Sequence, residues 1–316
     1  MSKFSQRFPT SIRKRYIKLF PSEPLPPLKY DMDADHVSDI IYQTLQSDKP
    51  CMITRFGSVE LGCIVNYLGV KNKNILDYIR GKAEPWWWTN LTLHDMRINA
   101  GFFSICDENL KKFSELMIQD MAQIDILASW LLDENKFEKE LSHVYKIWLE
   151  YLNPYWSKEP WSRALKGKKV LVVHPFVDSI QKQYQRKALL HKHPDTLPDF
   201  ELKTIKAVQS IGGICNEGFK DWFEALEYMK AEIDKTDYDI CILGCGAYGF
   251  PLAAFCSIGL ISIRRKPTLN GIISLTLPFF FTVINNLYRF GASEVQVLTF
   301  VRFWSKETAR ISPEGI

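Results

Sequence analysis

The sequence predicts an α/β fold, a mostly parallel sheet flanked by helices. Three observations predict it. Cys51–Thr54, Lys169–Val173 and Ile240–Leu243 are continuous apolar runs, too short for helices. Each leads straight into a turn-forming stretch: Arg55-Phe-Gly57, His174-Pro175 or Gly244-Cys-Gly246. Between the runs lie longer stretches whose apolar residues recur at helical spacing. Strands that are apolar throughout and alternate with helices mark a parallel sheet buried on both faces.

The elements follow in order. Residues 1–32 read as a basic N-terminal appendage and Pro-rich linker. Within it, 11–20 predicts a short basic helix with Ile12, Tyr16, Ile17, Leu19 and Phe20 partly on one side. Pro21-Ser-Glu-Pro-Leu-Pro-Pro27 then stops any helix. Residues 33–256 are the α/β domain. Its first helix runs through Val37, Ile40, Ile41 and Leu45, capped by Asp35 or Ser38, and ends at Lys49-Pro50. After the first strand an apolar helix spans 61–68. From Glu108 to Leu152 the spacing reads as helical, with no glycine interrupting and Asn153-Pro154 closing the block. A polar helix is expected over 179–191, a third strand over 200–207, an amphipathic helix over 217–234 and another helix from Pro251. Residues 257–316 form a divergent tail that is available to complete the domain.

Composition removes several classes. Of 316 residues, 46% are hydrophobic and 24% charged, as in ordinary globular chains and unlike disordered or collagen-like ones. Forty Lys+Arg against 36 Asp+Glu leaves a net charge of +4, too small for a dedicated nucleic-acid binder. The seven cysteines contain no C-x-x-C pair, which points to reduced, mostly buried thiols rather than zinc knuckles. No secretory signal is visible. The longest apolar stretch, 272–284, is broken by Pro278 and falls short of the about twenty residues of a membrane span. The expected location is cytoplasmic. Two readings of 11–20 stay open. A solvated tail is favoured because the stretch is short and its apolar face incomplete. The other is a weak membrane-surface contact, peripheral at the inner face.

Three stretches carry chemistry, each at the carboxyl end of an expected strand, where open α/β sheets bind ligands. Gly244-Cys-Gly-Ala-Tyr-Gly249 fits the Rossmann-like pattern G-x-G-x-x-G, in which glycines admit a phosphate to the backbone and a helix N-terminus faces it. No acid for a ribose follows within 262–271, where Arg264 and Arg265 suit a 2′-phosphate instead. A tight turn alone also explains the glycines. Arg55-Phe-Gly-Ser-Val-Glu60 sets a cation, a glycine turn, a hydroxyl and a carboxylate within six residues. Arg55 suits a phosphate, and Glu60 a divalent cation or a sugar proton. An Arg–Glu pair tying a loop is the bland alternative. His174 offers a base or a phosphate donor, and Ser179 a cap for the next helix. Trp86-Trp-Trp88 offers stacking surface, or folds onto the core, with at least one ring expected to stay exposed.

Taken together, these residues resemble the GT-D type of glycosyltransferase, over roughly residues 35–256. Arg55, Phe56, Gly57 and Glu60 fit the family's Arg-Phe-Gly-Asp-Gly-Glu stretch, and Ser58 stands where the family has an aspartate. His174-Pro-Phe176, 197–204, the helix around Trp222 and Gly244–Gly249 have the look of that family. Beyond Cys256 the likeness fades. The resemblance implies a GT-D-like fold and transfer of a sugar from a nucleoside-diphosphate sugar, a UDP-sugar being favoured, to a glycan or lipid-linked acceptor in polysaccharide biosynthesis. It implies catalytic roles for Glu60 and His174, and donor contacts from Arg55, Phe56, Gly57, Ser58, Ser179, Gly244, Gly246, Tyr248 and Gly249. Trp87, Asn99, Phe102 and Phe103 would form the acceptor surface. A manganese or magnesium ion at Glu60 is implied, weakened by Ser58 in place of the aspartate. Two rivals stay open: a SAM- or NADP-dependent enzyme using Gly244–Gly249, and a non-catalytic nucleotide-sugar binder.

Overall fold

A computed structural model describes residues 3–210, 212, 218–259 and 271–273. Among these residues seven strands form one sheet: β1 (Cys51–Thr54), β2 (Ile126–Ser129), β3 (Tyr145–Trp148), β4 (Lys169–His174), β5 (Glu201–Lys206), β6 (Ile240–Leu243) and β7 (Gly271–Ile273). Their order is β3-β2-β1-β7-β6-β4-β5, and every neighbouring pair is parallel. The α/β, Rossmann-like expectation therefore holds. β7 joins two three-stranded halves, pairing Cys51 with Gly271 on one edge and Ile240 with Gly271 on the other.

Alternation along the strands sends side chains into two cores. Met52, Leu127, Leu171, Val173, Cys241 and Leu243 point to the first. That face carries α3 (Ser58–Asn72), α5 (Asn90–Ile98), α6 (Asp107–Asp120), α8 (Trp222–Asp234) and α9 (Gly249–Gly259). Cys51, Ile53, Ile126, Val170, Val172 and Ile242 point to the second, which packs on α2 (Ala34–Gln46), α7 (Val177–Tyr184) and the turn at 161–165. Both faces are covered, which is why the central strands need no polar side.

One device starts both halves. The Asp125 N–H donates to Met52 O (3.0 Å), and its carboxylate accepts the Met52 N–H (2.7 Å). Asp239 makes the same exchange with Lys169, at 2.8 and 2.7 Å. Each aspartate precedes a strand and fixes its start against the neighbour, β2 beside β1 and β6 beside β4.

Several sequence expectations need correction. The stretch 108–152 is not one helical block. α6 stops at Asp120, and β2 and β3 follow. Ile124, Ile126 and Leu127 fit either period over so short a run, and pairing with β1 decides for strand. The helix after β4 ends at Tyr184 and gives way to short 3-10 turns. Asp33, rather than Asp35 or Ser38, caps α2, accepting from the N–H groups of Asp35 and His36. Ser179 is the third residue of α7 and caps nothing. Arg264, Arg265 and the tail beyond Ile273 lie outside the described residues.

The N-terminal segment is a helix, α1 (Lys3–Leu19), laid against α4 (Ile75–Ile79). Arg13 donates to the carbonyls of Tyr78 and Ala83 and lies 4.5 Å from the Tyr78 ring centre. The linker then runs past Asn135, whose amide donates to Pro26 O (2.7 Å). Asp31 makes a parallel bridge to Ile147 and so covers the outer edge of β3.

Candidate functional site

The strand order creates one place where the chain departs in opposite directions. From β4 it turns through α7 to β5, and from β6 it turns through α9 to β7 on the other side. Diverging connections open a crevice at the carboxyl ends of such strands. His174 and Gly244–Gly246 stand there. Arg55 stands at the corresponding end of β1, two positions along the sheet from β6.

After β1 the backbone stays extended through Gly57, which precedes α3, and the Leu61 N–H closes the first helical hydrogen bond to Gly57 O (2.9 Å). Glu60, in the first turn, folds back so closely that a methyl on Gly57 would collide with its carboxylate. Gly57 is therefore a close-approach glycine, since its φ of −77° suits any residue. The carboxylate sits at the positive end of the helix, where it is stabilised. Ser58 is the first residue of α3 and half-buried.

Arg55 is half-buried and held in place. Its Nη1 donates to Phe56 O (3.2 Å), and its guanidinium lies 5.5 Å from the Trp130 ring centre. The Trp130 indole N–H donates to the same Phe56 carbonyl at 3.0 Å. Trp130 follows β2, and its loop is built around Glu134. That carboxylate is fully buried and accepts from the Ser129 hydroxyl and from the N–H groups of Trp130 and Leu131, both at 3.0 Å. Burial pushes the Glu134 carboxyl upward and these three donors oppose the shift. The helical spacing over 108–152 hides Ser129, Trp130 and Glu134 in the sequence. The signal that finds them is Asp125-Ile-Leu-Ala-Ser129, an aspartate and a short apolar run that matches Asp239-Ile-Cys-Ile-Leu243.

The β1 loop and the glycine stretch meet. The fully buried Phe56 ring stacks on Phe250 in the first turn of α9, with centroids 5.1 Å apart. Within the glycine stretch, Gly244 is buried and its N–H extends the ladder to Val173 O (2.9 Å). Gly246 is exposed with φ +61°, and a Cβ there would meet nothing within 4 Å among the described residues. Its glycine is required by backbone conformation. Gly249 is buried at the start of α9.

His174 is 2% exposed, and its Nδ1 accepts the Phe176 N–H at 3.0 Å. Burial lowers the imidazole to about 4. The ring is therefore neutral at neutral pH with its proton on Nε2, a hydrogen-bonding group rather than a cation for phosphate.

The residues expected to stack are mostly core. Phe102 is fully buried among Phe113, Trp222 and Phe223 and offers no face to a ligand. Tyr248 is also buried, stacked at 4.7 Å on Trp222. Its contribution is to pin the turn before α9. Phe103 is half-buried against the same core. Asn99 ends α5, its amide 3.1 Å from the Asp95 carboxylate. Trp88 is buried, while Trp86 and Trp87 are half-buried, edge-on to each other and to Tyr78. None of the three is fully exposed.

No protein family, no curated protein and no solved structure matches the chain. Among the described residues six cysteines form no disulfide, five of them buried and Cys106 exposed. Among the described residues, no helix is long and apolar enough to cross a membrane. No group of three His, Cys, Asp or Glu side chains among them gathers into a metal-binding cluster.

Proposed function

We propose that this chain is a glycosyltransferase that takes a sugar from a nucleoside-diphosphate sugar, a UDP-sugar being favoured, and passes it to a glycan or lipid-linked acceptor. The observation that carries the reading is the Arg55–Trp130–Glu60 arrangement at the end of β1. It joins a guanidinium held from two sides, a carboxylate folded over a glycine, and a helix N-terminus in one loop. As the bond from sugar to phosphate breaks, negative charge grows on the leaving diphosphate. A fixed cation and helix N–H groups stabilise that charge without reorganising. Glu60 is the one carboxylate of this loop, and a single carboxylate suits a manganese or magnesium ion that the diphosphate itself mainly holds. Such an ion would add charge neutralisation at the phosphates. His174 is buried and accepts the Phe176 N–H, so in this reading it shapes the turn after β4 rather than meeting the substrate.

A thermal-shift screen against UDP, GDP, CMP, SAM and NADP(H), with and without manganese, tests the reading. A ligand at one hundred times its dissociation constant stabilises by about 2.7 kcal/mol. UDP is expected to raise the melting temperature, and Arg55→Ala to remove most of that rise. Glu60→Ala is expected to abolish sugar transfer with the fold intact. A rise with SAM or NADP(H) alone would favour the rival enzyme, which the exposed, positive-φ Gly246 at the crevice keeps in view. A UDP rise without any transfer would favour the non-catalytic binder.

A further inference from the structure

We infer that the outward face of α1 is a docking surface for an anionic membrane. The inference rests on α1 alone and not on the donor-site reading. The helix is longer than the sequence predicts, and its apolar residues divide differently. Ile17 turns inward and packs on Gly81, where the φ of +79° and the lack of a Cβ admit it. Arg13 also turns inward, to the Tyr78 ring and two carbonyls. Pro9 is buried on the same side. The helix thus uses a cation to attach to the body and leaves apolar groups outside.

Two stripes lie on the outer side. Phe8, Ile12, Arg15 and Leu19 share one helical face by their spacing, and Arg7, Ser11, Lys14 and Lys18 form the adjoining one. Phe8 is 71% exposed and Leu19 74%, and Phe20 just beyond the helix is 60%. Arg7, Lys14, Arg15 and Lys18 are all exposed, and none is within ion-pair distance of a carboxylate among the described residues. No acid occurs before Glu23. On α4, against which α1 packs, Ile75 and Leu76 are exposed as well. A stripe of Phe8, Ile12 and Leu19 interrupted by Arg15, with Arg7, Lys14 and Lys18 beside it, matches the two needs of an interfacial helix, acyl chains for the apolar groups and anionic headgroups for the cations. A folded protein partner would satisfy the apolar stripe without needing four uncompensated cations, so the charge decides for lipid.

Vesicle co-sedimentation of the full chain tests this. The wild type is expected to bind vesicles of equal parts phosphatidylcholine and phosphatidylglycerol, and not vesicles of phosphatidylcholine alone. Lys14→Glu with Lys18→Glu removes two surface cations and should lower partitioning about thirtyfold or more. Phe8→Ser with Leu19→Ser should lower it about tenfold or more. Both pairs sit at exposed positions, and thermal melting checks that the variants stay folded. Leu189→Ser, at an exposed apolar residue on another segment, should change nothing. The inference is overturned if the wild type binds neither vesicle or both equally, or if either double variant keeps wild-type partitioning. Binding to heparin but not to anionic vesicles would overturn it in favour of a soluble polyanion.

Discussion

Asp120 gives the sharpest quantitative test of the core. It closes α6 and is 7% exposed, and its Oδ2 has no hydrogen-bond partner among the described residues. Lys230 acts on it from α8, but that ammonium is paired with Glu227 at 2.8 Å. Burial pushes the Asp120 carboxyl from 3.8 up to about 7. A folded-state value above the unfolded one means that the native protein holds the proton more tightly. The contribution to stability is then complete below the unfolded value and is lost as pH rises towards 7. About three units at about 1.4 kcal/mol each sets an upper limit near 4 kcal/mol. Asp120→Asn keeps the shape and cannot ionise. The variant should match the wild type in urea unfolding near pH 4, then exceed it progressively, by about 2–4 kcal/mol near pH 8. Two stability curves that run parallel across this range would refute the reasoning, since they would mean that the carboxyl titrates alike in the folded and unfolded chain.

Glu134→Ala removes the acceptor for the buried Ser129 hydroxyl and for two backbone N–H groups, and should destabilise by about 3 kcal/mol or more at about 1–3 per orphaned donor. Glu134→Gln, which keeps an acceptor oxygen, should lose less, and equal melting temperatures for both variants and wild type would rule the loop anchor out. Gly246→Ala must hold φ +61° and should lose about 1 kcal/mol, whereas Gly57→Ala is unstrained in backbone yet displaces the Glu60 carboxylate. Calorimetry with UDP and manganese should therefore find the larger binding loss in Gly57→Ala and the larger folding loss in Gly246→Ala; the reverse order would contradict both assignments. The depressed His174 value means stability present above its ordinary value of 6.5 and lost as pH falls towards about 4. Its imidazole NMR signals should stay still from about pH 8 to about pH 5, and a midpoint near 6.5 would show an accessible ring instead.

Most of the sheet was legible because its strands announce themselves. Cys51–Thr54, Lys169–Val173 and Ile240–Leu243 are apolar on both faces, and glycine or proline follows each closely. β2 and β3 were not legible. Ile126–Ser129 is only four residues long and follows a real helix whose spacing runs on through Ile124. Tyr145–Trp148 is half-exposed and stays in the sheet by pairing, which no local pattern encodes. The candidate site followed the same division. Arg55, Gly57, Glu60 and Gly246 were found from residue type and position after a strand. Trp130 and Glu134 were missed because their strand was. Phe102 and Tyr248 were placed at the site for their chemistry, but long-range packing around Trp222 draws both inside.

The place of β7 has a consequence for how the molecule assembles. β1 is the first strand made, yet one of its two edges waits for a partner more than two hundred residues later in the chain. Until then β3-β2-β1 and β6-β4-β5 are separate half-sheets, each with an unpaired inner edge. Long-range parallel pairing is slow, and open strand edges recruit other chains. Three residues, Gly271–Ile273, close both edges at once. A chain that stalls before them would hold most of its contacts and still present two templates for misassembly, so the yield of folded protein should depend more on that late strand than its length implies.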